Sequence, residues 1–124
     1  MKVENVLNIA LDLCGLRDGN GNIPASCDDM RQRAPSLLSM ITAEYAFIDK
    51  AAGNNPAVPT SLALDGDMPL SDDMCMTVIP YLLAAGLIQD EDASLAATFR
   101  RLADSALTHF GHGKARIHEI KEVY

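Results

Sequence analysis

Tryptophan is absent from this 124-residue chain and only 5% of the residues are aromatic, which leaves no platform on which unpaired bases could stack. Positive charge is scarce as well. Ten lysines and arginines stand against 17 acidic residues, giving a net charge of -7 and an isoelectric point near 4.7. A protein that grips nucleic-acid phosphates needs a basic face for counterion release, so specific nucleic-acid binding is not expected. The three cysteines, Cys14, Cys27 and Cys75, are odd in number and without CxxC spacing. They read as reduced core residues of a cytoplasmic protein rather than as bridges or metal ligands. No apolar run approaches the roughly 18 residues of a membrane span, and the opening MKVENVLNIA carries too few apolar residues after its lysine for a signal peptide. No serine sits in GxSxG and no glycine-rich loop follows a strand, so an enzyme is not expected.

What the chain does have is apolar material at helical spacing. It is 48% hydrophobic, enough to build one core without metal or disulfide help. Val3, Val6, Leu7, Ala10, Leu11 and Cys14 mark one face of a first helix, which Gly15 ends. A longer second helix from about residue 27 to 51 would bury Met30, Ala34, Leu37, Leu38, Ile41, Tyr45 and Ile48, unless Pro35 moves its true start to that proline. The stretch from Ser71 to Phe110 organises the rest. It reads as a third helix near 72 to 89, apolar on most faces and kinked or restarted at Pro80, then an acidic turn at Asp90 to Asp92 and a fourth helix near 93 to 110. Leu95, Phe99, Leu102, Ala103, Ala106 and Phe110 form the apolar stripe of that last helix, and Gly111 is expected to stop it. Before the third helix, Ser61 to Asp65 alternates in the manner of a short strand or extended strip. The fold class expected is therefore all-α, about a four-helix bundle. One domain spans residues 1 to 112, and an extended C-terminal arm spans residues 113 to 124.

Constellations that could carry chemistry are few. Asp18, Asn20, Asn22 and Asp29 mimic the spacing of a calcium loop, but Ile23 occupies the position that demands glycine and Pro24 follows it. The tight-turn pairs Asp18-Gly19 and Asn20-Gly21 explain the segment better. His109, His112 and His118 lack a partner that would complete a zinc site, and Asp65, Asp67, Asp72 and Asp73 fall where acids suit a helix N-terminus. No cofactor and no metal are expected. The charge is unevenly spread, with 14 acidic and 5 basic residues up to Asp92 and 3 acidic and 5 basic after it. An acidic body with a mildly basic end suits head-to-tail contact between copies.

Three stretches resemble a known family: VLNIALDLCGL near the start, SLALDGDMPLSDD leading into MTVIPYLLAAGLIQDEDASLAATFRRLADSAL, and RIHEIKEVY at the end. Their order is similar to that in the small helical head-to-tail connector, or adaptor, proteins of tailed phages and prophages. The Met68-Pro69-Leu70 element, the Pro80-Tyr81 step, the acidic turn from Gln89 and the helix from Leu95 to Leu107 carry the likeness. The resemblance implies a non-enzymatic virion protein that forms a ring between portal and tail, with itself and portal or tail proteins as partners. It also implies the host cytoplasm, and then the virion, as its location. Interface candidates are the apolar residues of the strip and the arm: Leu62, Leu64, Ile117, Ile120, Val123 and Tyr124. The alternative is a cytoplasmic helical adaptor or regulatory protein that binds a host protein.

Overall fold

Helix α4 (Ile79–Ile88) has the sequence IPYLLAAGLI, with no charged residue to turn toward water, and the other helices assemble around it. In the computed structural model, which describes residues 1–51, 53, 56 and 61–123 and side chains up to residue 108, those helices are α1 (Val3–Leu13), α2 (Asp28–Ala51), α3 (Asp72–Thr77) and α5 (Ala93–Val123). A single 3₁₀ turn at Ala25–Cys27 leads into α2. All four other helices pack against α4. Ile79, Leu83, Ala84, Ala85, Leu87 and Ile88 are buried, as a helix apolar on every face requires. Each large side chain so buried contributes about 1.5–3 kcal/mol. The fold is all-α, and among the described residues there is no strand, only an isolated bridge between Lys2 and Asp67.

The third expected helix is two helices. Pro80 has no N–H to give the Met76 carbonyl, and the chain breaks at Val78 (φ -114°, ψ -52°), where the amide still reaches Met74 O at 3.1 Å. It restarts at Ile79 with proline in the first turn, where the missing donor would have gone unused. Ser71 caps α3 by accepting the Met74 N–H, and Asp72 and Asp73 place negative charge on its positive end.

Pro35, in contrast, does not break α2, which runs without interruption from Asp28 to Ala51. The lost hydrogen bond is offset by two ties that Arg33 makes just before it. Arg33 pairs with Asp29 one turn back (Nε to Oδ2, 3.0 Å) and donates through Nη2 to the Leu87 carbonyl at 3.2 Å. That second bond satisfies an orphan carbonyl in the last turn of α4 and locks α2 to it.

The strip before α3 has a task within the chain. Lys2, the N-cap of α1, makes no side-chain cap bond. Instead the Val3 and Glu4 amides donate to the carbonyls of Gly66 (2.9 Å) and Leu64 (3.0 Å), and the Met68 amide donates to Met1 O at 2.7 Å. Backbone from residues 64 to 68 thus caps α1, filling the place a side chain usually takes. At the other end Gly15 adopts φ +69°, with Leu16 N–H on Leu11 O and Gly15 N–H on Asp12 O, the paired bonds that close a helix on a left-handed residue.

Helix α5 begins as expected, with Asp92 Oδ1 accepting the Leu95 N–H at 2.9 Å. It ends elsewhere. The backbone stays helical through Gly111 and Gly113 to Val123, so the arm is helical and not extended. Each glycine lowers helix stability by only about 1 kcal/mol, and no proline follows to enforce a stop.

Candidate interaction surface

On α2 the apolar residues fall into two sets. Met30, Ala34, Leu38 and Ile41 are buried, with Leu37, Tyr45 and Ile48 half-buried beside them, as their spacing predicts. Met40 and Phe47, seven residues apart and so on one face, stand 62% and 63% exposed. Two large apolar side chains open on one face of a small domain make that face a candidate contact surface. Met76 on α3 and Leu102 on α5 are exposed too, which corrects the expectation that Leu102 belongs to the buried stripe of α5. The buried positions of α5 are Ala96, Phe99 and Ala103 instead.

Beside Met40 the surface sinks into a groove of about 310 Å³ between α2 and α5. Leu37 and Ile41 of α2 and Leu82 and Gly86 of α4 make it apolar inside. The absent side chain of Gly86 gives the groove its depth, since a Cβ there would come within 3.5 Å of Leu37 Cδ1. The mouth is acidic on balance, with the carboxylates of Glu44 and Asp104 against the guanidinium of Arg100. Burial raises the Tyr45 hydroxyl above the ordinary tyrosine range, and Glu44 and Asp104, on opposite walls, raise it further. Among the described residues neither carboxylate is in an ion pair, and the Arg100 guanidinium is engaged by the Gln89 side chain.

The strip residues named as interface candidates lie elsewhere. Leu62 is buried in the core and Leu64, half-buried, packs against it, which corrects Leu62 from an interface candidate to a core residue and Leu64 to one that leans on the core. Ile117, Ile120 and Val123 sit on the helical backbone of α5, with their side chains outside the described residues, and Tyr124 lies wholly outside them. Sequence reasoning missed Met40 and Phe47. The signal was present, because both are large apolar residues off the buried stripe of α2.

The remaining polar clusters have structural duties. Asp18 Oδ1 accepts the amides of Asn20 and Asn22, each at 2.9 Å, and so ties its own loop as an Asx turn. Among the described residues no three His, Cys, Asp or Glu side chains gather as metal ligands. All three cysteines are free thiols. Burial pushes Cys14 and Cys75 up to about 11, with the neighbouring Cys27 adding to the rise at Cys14, which leaves both poor nucleophiles at neutral pH. Among the described residues no helix is long and apolar enough to cross a membrane. Comparison with known proteins finds no matching family model, no matching curated protein and no matching solved structure.

Proposed function

We propose that the chain is a non-enzymatic structural protein of a phage or prophage particle, a connector whose copies join side by side into a ring between portal and tail. The observation that carries this reading is the length of α5. Its 31 residues span about 46 Å, whereas α3 and α4, against which it packs, together supply 16 helical residues and about 24 Å. A helix about 20 Å longer than the pair it packs on has a face to offer a neighbour. The exposed row of Met40 and Phe47 gives that body a surface in need of a partner. The net charge of -7 serves the same role, because a ring lumen rich in carboxylates repels DNA phosphates and lets the genome pass without sticking. Deleting residues 113 to 124 tests the reading. The truncated chain should keep its helicity and lose assembly onto portal rings, and unchanged assembly would remove α5 from the mechanism.

A further inference from the structure

Resting on that reading, we propose that the groove between α2 and α5 receives the C-terminal half of α5 from a second copy of the chain, its apolar floor taking a helix seam and its acidic mouth taking basic residues.

The seam is visible once α5 is known to be one helix. Ala96, Phe99, Ala103 and Ala106 recur at alternating steps of three and four, and the first three are buried within the body. In the sequence the same alternation continues without a break at Phe110, Gly113, Ile117 and Ile120. A seam sustained at an average of 3.5 residues is the pattern by which one helix packs along others. Its first half is used inside the chain, and its second half lies beyond the reach of α4.

Charge identifies the occupant. The groove mouth gathers Glu44 and Asp104 about the Tyr45 hydroxyl, a place that suits a cation. The segment from residue 109 to 124 carries Lys114, Arg116 and Lys121 among its apolar positions, in a chain where acids otherwise dominate. Geometry excludes the chain's own segment. Asp104 is on α5 itself, and the helix carries Ile117 about 20 Å farther along its axis, so the segment cannot return to its own groove while α5 stays whole. It can only enter another copy's. Such a contact joins two different surfaces, and repetition of a head-to-tail contact generates a closed ring or a filament.

The test titrates a synthetic peptide of residues 109–124 into the full-length, isotope-labelled chain and follows backbone amide shifts. Shifts at Leu37, Tyr45, Leu82 and Gly86 are expected. Replacing Glu44→Lys and Asp104→Lys, both exposed, should weaken the peptide about tenfold, and a peptide with Lys114→Glu, Arg116→Glu and Lys121→Glu should recover binding to that reversed chain. No groove shifts at about 1 mM peptide, equal binding of a scrambled peptide of the same composition, or indifference to the charge reversal would each overturn the proposal. Recruitment of the intact chain to portal rings, with the groove untouched by peptide, would sink this inference and leave the connector reading standing. A filled groove in a chain that portal rings ignore would do the opposite.

Discussion

Asp49 Oδ2 accepts the backbone N–H of Ser71 at 2.7 Å, joining the last turns of α2 to the residue that caps α3, in a side chain only 1% exposed. This part-buried bond bridges 22 residues of chain and ties the end of α2 to the start of α3.

Asp49→Ala should therefore lower stability by about 1–3 kcal/mol, since the Ser71 amide loses its acceptor in a buried setting. Asp49→Asn keeps an acceptor oxygen and should lose less. Urea unfolding followed by circular dichroism measures both. An alanine variant as stable as the parent would show that the bond has no role in joining the two halves.

Leu62 and Met40 make a paired test of which apolar residues belong to the body. Leu62→Ala opens a cavity beneath the strip and should destabilise by about 2–5 kcal/mol, whereas Met40→Ala on the open face of α2 should stay within about 0.5 kcal/mol. The reverse ranking of urea midpoints would return the strip to the surface and Met40 to the core.

Cys14 and Cys75 predict an alkaline loss of stability. Their thiols sit near 11 in the folded chain because burial disfavours the thiolate, against 9.0 for an ordinary exposed cysteine. The folded state holds its protons more tightly, so this stabilisation is fully present below about pH 9 and drains away as pH rises to about 11. Thermal melts should fall across that window, and Cys14→Ser with Cys75→Ala should flatten the fall relative to the parent. Iodoacetamide labelling of Cys75 in the native chain at pH 8 should be slower than in urea by well over tenfold.

Gly86→Ala should stabilise the monomer by up to about 1 kcal/mol, because alanine suits a helix better and its Cβ meets Leu37 Cδ1 only at ordinary contact distance. The same methyl raises the floor of the groove. A chain that melts higher yet binds the 109–124 peptide less tightly would separate the two effects, and unaltered peptide affinity would place the contact elsewhere.

The α1 face, the central α4, the restart at Pro80 and the cap at Asp92 were legible in the sequence because each is a local signal: a period, a missing amide, a carboxylate three residues before the amide it accepts. Gly111 misled for the opposite reason, and Pro35 left open a restart of α2 that the helix expected from 27 to 51 does not make. Both are local penalties, and the bond from Arg33 to the Leu87 carbonyl that helps carry α2 past proline spans 54 residues. The strip's task could not be read at all, because α1 is capped by main-chain carbonyls at Leu64 and Gly66, which any residue type supplies. The groove was equally hidden. It exists only where three helices meet above Gly86, and composition records that glycine simply as a weak helix former.

Electron microscopy of portal rings incubated with the full-length chain tests the central claim most directly. A connector predicts an added ring of many copies, stacked on one face of the portal and sharing its axis. Bare portal rings at saturating protein would contradict it.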